Sequence, residues 1–243
     1  MKIFEDIEII DSYPAIYIKE LDMIVIADLH LGYEGILAEQ GIFIPKIQFK
    51  KIVSDMKKIV EICDARNILI NGDIKHEFSE TSYHEFKEVK NFLELLKNNF
   101  KRIILIKGNH DNYISNITNK YGIELYDEIN IKGYFFTHGH KAKKEKLSSM
   151  NIFAHEHPSI ALFTEVGVKE KMKAFIYGEI GNKKILVMPS FSYFAEGNDV
   201  NLIPKNELLS PLLREIDIDR LMAICLLEKE KPLKFPEIGR IRQ

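Results

Sequence analysis

The sequence predicts a layered α/β architecture. Three observations carry that expectation. Apolar strand-like runs alternate with amphipathic helical segments in the first half, strand-like runs follow one another in the second, and polar residues gather where the runs end.

Each element has a local reason. EIIDSYPAIYI reads as two short β runs with Tyr13-Pro14 as the turn between them. MIVIADLHLG opens with a near-continuous apolar run up to Asp28, suited to a central strand covered on both faces. Across 45–63, Ile47, Ile52, Met56, Ile59, Val60 and Cys63 recur at three- and four-residue steps, and Pro45 can open the helix. NILING (67–72) is a strand, and SYHEFKEVKNFLELLKNN a helix with Phe86, Val89, Phe92, Leu93 and Leu96 on its apolar side. RIILIKG (102–108) is another strand, and 113–121 a short helix. The texture then turns β-rich through GIELYDEINIKGYFFTHGH, IFAHEHPSIALFTEV, KAFIYGEI and KKILVMPSF. A surface helix near 208–213 and a Pro- and Lys-containing tail complete 205–243. With no repeat, low-complexity tract or linker, residues 1–243 are expected to form one domain.

The bulk numbers exclude several classes. A net charge of −2 gives no global attraction for nucleic acid or membrane, so a polyanion would have to meet a local patch or bound metal. No apolar run is long enough to span a bilayer, and MKIFEDIEII lacks the features of a signal peptide. Cys63 and Cys225 form no pair motif and read as reduced core thiols in helical-looking contexts, in a cytoplasmic protein.

The chemistry gathers in five clusters, each after an apolar run: Asp28-Leu29-His30, Gly72-Asp73 with His76, Gly108-Asn109-His110-Asp111, His138-Gly139-His140 and His155-Glu156-His157. Seven of the eight histidines belong to them; only His84 does not. Each cluster alone could be a polar turn, but their succession at strand ends points to one site. Asp28 and His30 lie two apart, so an extended segment would point both to one side, as it would His155 and His157. Carboxylate with imidazole and no thiolate suits Mn²⁺, Fe²⁺, Ni²⁺ or Zn²⁺, and the donor count suits two ions.

ADLH, NGD, GNHD, THGH and AHEH, in that order, resemble the five motifs of the calcineurin-like metallophosphoesterase superfamily. ADLHLGYEGILAEQGIFIP, GDIKHEF, AHEHPSIAL and MPSFSYFAEG look like its small prokaryotic, archaeal-type branch related to SbcD/Mre-type nucleases. Ala154 stands where the last motif usually has Gly. The resemblance implies a four-layer αββα sandwich of two mixed β-sheets flanked by helices. It assigns Asp28, His30 and His157 to one metal and Asn109, His138 and His155 to a second, with Asp73 bridging. His140 is left in a supporting role. It further implies hydrolysis by a metal-bridging hydroxide, most simply with Mn²⁺, with His110 giving the leaving group its proton. His76 resembles the partner histidine of the GD-x-x-H pattern.

The expected substrate is a phosphodiester, foremost DNA or RNA. Lys143 and Lys144 in HKAKKEKL are candidate phosphate contacts, although lysine runs are commonly solvated faces. A phosphodiesterase of small substrates such as cyclic nucleotides is the alternative, and a metal-dependent scaffold a third reading. A homo-oligomer is compatible with the resemblance.

Overall fold

The computed structural model describes residues 1–78, 82–195, 197–228 and 230–242. Of the segments read above, Glu196 in the run 188–197 and Lys229 and Gln243 in the last segment lie outside the described residues.

The first sheet holds seven strands in chain order: β1 (Lys2–Phe4), β2 (Ile7–Ile9), β3 (Ile16–Ile18), β4 (Met23–Ile26), β5 (Asn67–Asn71), β6 (Arg102–Ile106) and β7 (Glu124–Tyr126). Strands β1 to β4 pair antiparallel and β4 to β7 parallel. The parallel half arises because α2 (Gln48–Ile62) and α3 (Tyr83–Asn99), which follow α1 (Tyr33–Glu39), provide the crossovers. A further short helix, α4 (Ser115–Tyr121), precedes β7.

The second sheet contains β8 (Glu128–Ile131), β9 (Tyr134–Thr137), β10 (Met150–Phe153), β11 (Pro158–Phe163), β12 (Lys169–Ile180), β13 (Lys183–Val187) and β14 (Asn198–Asp199) in the order β14-β11-β12-β13-β10-β9-β8. It too is mixed: β9, β10 and β13 are parallel neighbours, whereas β12 runs against β13.

Three apolar layers follow from side-chain alternation on these strands. Ile24, Ile26, Ile68, Ile70, Ile103 and Leu105 face out from the first sheet onto Ile52, Met56 and Ile59 of α2 and Val89, Phe92, Leu93 and Leu96 of α3. Their neighbours Met23, Val25, Leu69, Ile104 and Ile106 face inward and meet Phe136, Ile152, Phe175 and Leu186 of the second sheet. Beyond the second sheet, Phe153, Ile160, Ile176, Ile185 and Val187 pack under Leu212 and Leu213 of α5 (Pro211–Glu215). The result is two mixed sheets flanked by helices, the expected sandwich.

Three local expectations change. Residues 205–243 are not a surface helix and tail: β15 (Met222–Cys225) pairs with β12 and with β16 (Leu233–Glu237), followed by α6 (Ile238–Ile241). Burial of Leu208, Leu212, Leu213, Ile216 and Ile218 under the second sheet holds this segment in place. Cys225 is consequently a buried strand residue rather than a helical one, and both cysteines are free. Helix α2 starts at Gln48, not Pro45, because the Glu34 carboxylate accepts the amides of Ile47 and Gln48 at 2.5 and 2.9 Å and acts as its cap from α1.

Candidate metal centre

The loops leaving β4, β5, β6, β9 and β10 bring all five clusters to one end of the sandwich. Five of their non-glycine residues have left-handed backbone: Asp28 (φ 53°), His30 (48°), Asp73 (50°), His155 (68°) and His157 (47°). The extended geometry expected for the pairs 28/30 and 155/157 is therefore wrong. Each chain turns sharply as it leaves its strand, at a cost of order 1–3 kcal/mol per strained residue. Backbone bonds hold the turns: Asp28 N–H donates to the Gly72 carbonyl at 3.0 Å and His30 N–H to that of Asp73 at 3.0 Å. Ala154 keeps its turn despite its side chain, with Glu156 N–H donating to its carbonyl at 2.8 Å. Gly108 is required by close approach, since a Cβ there would lie 2.0 Å from Asp73 Oδ1.

Two donor sets result. Asp28, His30, Asp73 and His157 form one, and Asp73, His138 and His155 the other, with donor atoms in each set within 4.8 Å of one another. His138 Nε2 lies 2.9 Å from Asp28 Oδ1 and 3.4 Å from Asp73 Oδ2, and His157 Nε2 is 3.4 Å from Asp28 Oδ2. His30 Nε2 and His157 Nε2 approach to 3.4 Å. The Asn109 side-chain oxygen is buried with no hydrogen-bond partner among the described residues, and so is His30 Nδ1. Facing ring nitrogens and an orphaned buried oxygen, gathered around two buried carboxylates, fit divalent cations. His140 instead meets His138, Nδ1 to Nδ1, at 3.1 Å.

The electrostatics suit such donors. Burial pushes the Asp73 carboxyl up to about 7 against the pull of His138. Burial opposes ionisation of Asp28 too, but His157 and His138 beside it hold that carboxyl below its ordinary value. His138 would be depressed by burial, yet Asp73 and Asp28 raise it to about 9. Burial, reinforced by His138, lowers His155 to about 3, and burial with His157 keeps His30 well below its usual value. Neutral imidazole, the form that ligates a cation, is thus favoured at His155 and His30, whereas His138 would give up a proton to a cation that replaces it between Asp28 and Asp73.

His110 and His76 stand beside the first set and, with His30, form a third group of close ring nitrogens. His110 Nδ1 hydrogen-bonds the His76 carbonyl, which requires a proton on Nδ1 and leaves Nε2 facing Asp73 Oδ2 at 3.9 Å. Burial lowers the His110 pKa, and its bond to the His76 carbonyl opposes that shift. Burial, then His110, takes His76 down to about 4. The rings of His76 and His110 stack with centroids 5.6 Å apart.

Two cavities flank the donors. One, of about 820 Å³, is lined by Asn109, His140, Lys107, Lys141, Lys143 and Lys146, together with Asp127 and Glu128. Lys143 belongs to its wall and Lys144 does not, although both are exposed. The other, of about 280 Å³, is lined by His30, Tyr33, His76, His110, His157, Ser192, Phe194 and Ala195.

Sequence reasoning missed the supports of this centre. Gln48 donates to the His30 carbonyl at 3.0 Å and accepts from Ser192 Oγ at 2.7 Å. Ser190 Oγ donates to the Asp28 carbonyl at 2.7 Å, and the buried Lys173 ammonium binds the carbonyls of Ser190 and Ser192. Neither Gln48 nor Lys173 stands out in the sequence, because their partners lie far away in it. Asp111 accepts the amides of Asp73, Ile74 and Gly108 at 2.8, 3.0 and 2.9 Å.

No curated protein matches the chain. Among solved structures it is similar to the Pseudomonas putida nuclease MPE, with a TM-score of 0.63 at 16% identity over 91% of this chain and 92% of that one. It also matches the phosphoesterase Yfce from E. coli, with a TM-score of 0.45 at 16% identity over 88% of this chain and 98% of that one. The calcineurin-like phosphoesterase model matches residues 21–202, a span that contains all five clusters. The chain belongs to the calcineurin-like phosphoesterase family, whose members are metal-dependent phosphoester hydrolases.

Proposed function

We propose that this protein is a phosphodiesterase of nucleic acid, working inside the cell with two divalent cations, Mn²⁺ foremost, as one domain over residues 1–243. The observation that carries this reading is the sharing of Asp73 between two donor sets, with His110 Nε2 facing the same carboxylate. Asp28, His30 and His157 would hold one cation and Asn109, His138 and His155 the other, with Asp73 between them. When bound, the cations supply Lewis acidity at phosphorus and lower the pKa of water.

The chain's own residues do the rest. The His76 carbonyl orients the His110 ring and favours its doubly protonated form, so that Nε2–H can be given to the departing oxygen. His76 also covers one face of that ring and limits the directions from which it can be approached. Lys143, in the wall of the larger cavity, is placed to meet a backbone phosphate. The polymer reading and the SbcD/Mre-type branch are supported by that lysine-lined cavity, by the GD-x-x-H spacing of Asp73 and His76, and by the fold shared with a nuclease. The 280 Å³ of the second cavity, room for little more than one ring system, favours small diesters as the second reading.

The test is Mn²⁺-dependent hydrolysis of bis-p-nitrophenyl phosphate, p-nitrophenyl phosphate and labelled single-stranded DNA by wild type and His110→Ala. Cleavage of the diester and DNA is expected, with a loss of about 10²–10⁴-fold in the variant and metal binding retained. Intact DNA beside a cleaved diester would overturn the nucleic-acid substrate. Loss of metal from His110→Ala would make His110 a donor instead.

A further inference from the structure

The smaller cavity has a character that metal binding does not explain. It is lined by the histidines His30, His157, His76 and His110 and by the aromatic pair Tyr33 and Phe194. The Tyr33 and Phe194 rings lie 5.7 Å apart at 34° and form one continuous aromatic surface. Tyr33 also meets His76 edge-on at 4.4 Å, so this surface begins next to the ring that backs His110. The larger cavity, on the Asn109 and His140 side, is lined by lysines and carboxylates instead. The centre is therefore flanked by unlike surfaces, one charged and one aromatic.

We propose that the Tyr33–Phe194 surface is a nucleobase subsite that takes the nucleoside released with the oxygen His110 protonates. The inference rests on the phosphodiesterase reading for its chemistry and on this cavity for its place. A group protonated by His110 must lie on the side His110 faces, and that side opens onto Tyr33 and Phe194. Any base can stack on an aromatic surface, because every base offers a π-face, so such a subsite reads the presence of a base rather than its identity. The remaining polymer then leaves over the lysine-lined side, where phosphates rather than bases are met. In hydrolysis of such a diester, water adds to phosphorus, the P–O bond to the released nucleoside breaks, and the His110 proton goes to that oxygen.

Phe194 is the residue to change. Its backbone amide is held by Gln48 Oε1 at 3.1 Å, so truncating the side chain leaves its loop anchored. The probe is the 5′-monophosphate of 2-aminopurine deoxyriboside, whose fluorescence falls when the base stacks, added to the Mn²⁺-loaded full chain. Saturable quenching is expected in wild type, weakened about tenfold in Phe194→Ala and restored in Phe194→Tyr. Phe194→Leu, which keeps apolar volume but no ring, is expected to behave like Phe194→Ala. Deoxyribose 5-phosphate, which has no base, is expected to compete about tenfold more weakly than the nucleotide. Absence of quenching in wild type, or quenching in Phe194→Ala or Phe194→Leu as strong as in wild type, would overturn the subsite.

Cleavage of single-stranded DNA is followed in parallel to separate the two readings. DNA cleavage without quenching leaves the nuclease reading intact and removes the subsite. Quenching that depends on Phe194 without DNA cleavage upholds the subsite and removes the polymer as substrate.

Discussion

Asp111 and Glu156 are both fully buried carboxylates within two residues of a proposed metal donor, yet neither belongs to a donor set. Asp111 gathers the amides of Gly108, Asp73 and Ile74, and thus ties two first-sheet loops of the centre to each other. Glu156 accepts from the Asn198 side chain at 2.8 Å and from the Leu209 and Ser210 amides at 3.1 and 2.9 Å. It therefore ties its loop to residues 209 and 210, which lie beyond the family-matched span 21–202. Through these two carboxylates, first-sheet loops are tied to each other, whereas a second-sheet loop leans on the C-terminal segment. The donors look alike on both sides; their bracing does not.

The largest effect is expected where the two donor sets meet. Asp73→Asn alters the carboxylate both donor sets share, and activity is expected to fall about a thousandfold, a scale typical of lost transition-state electrostatics. The rise in melting temperature that Mn²⁺ gives wild type is expected to vanish with it. A variant still stabilised as wild type is would show that the donor sets do not depend on a shared Asp73.

Next in size is Asp111→Ala, which strands four buried amides, that of Lys75 included, and is expected to cost about 3–5 kcal/mol in urea unfolding. Glu156→Ala strands two amides and is expected to cost about 2–4 kcal/mol. The two variants sharpen the comparison through hydrogen exchange. Asp111→Ala is expected to lose protection over 67–76, and Glu156→Ala over 205–225. If both lost protection over the same residues, the distinction between internal and external bracing would fail.

The smallest effect concerns the lysine-lined side. Lys143→Glu is expected to weaken single-stranded DNA binding a few-fold and lower the salt slope by about one, while Lys144→Glu changes neither. Equal effects from both would return the stretch to a solvated face.

Much of this was legible in the chain. The apolar runs ending at Asp28, Asn71 and Ile106 and the periodicity of Ile52, Met56 and Ile59 specify strands and helices through side-chain spacing, and all lie where expected. The Ser82 cap with Glu85 three residues on forms a capping box at the start of α3. The C-terminal strands were not legible. Residues 222–225 become β15 because β12 offers them an edge, and Leu212 and Leu213 are buried because the second sheet offers a face.

Sequence alone determined which residues could do chemistry here, because donor types follow from side-chain identity and their positions from where apolar runs stop. It also determined the layering, since the spacing of apolar residues dictates which faces must be buried. Tertiary structure decided everything that depends on distance between segments. It turned Asp28, His30, His155 and His157 into left-handed backbone, because bonds from neighbouring loops can hold a strained turn that no local preference selects. It put Lys143 in a cavity wall and left its equally exposed neighbour Lys144 outside it. It placed Tyr33 against Phe194, 161 residues later in the chain, to make an aromatic surface that neither segment could announce by itself.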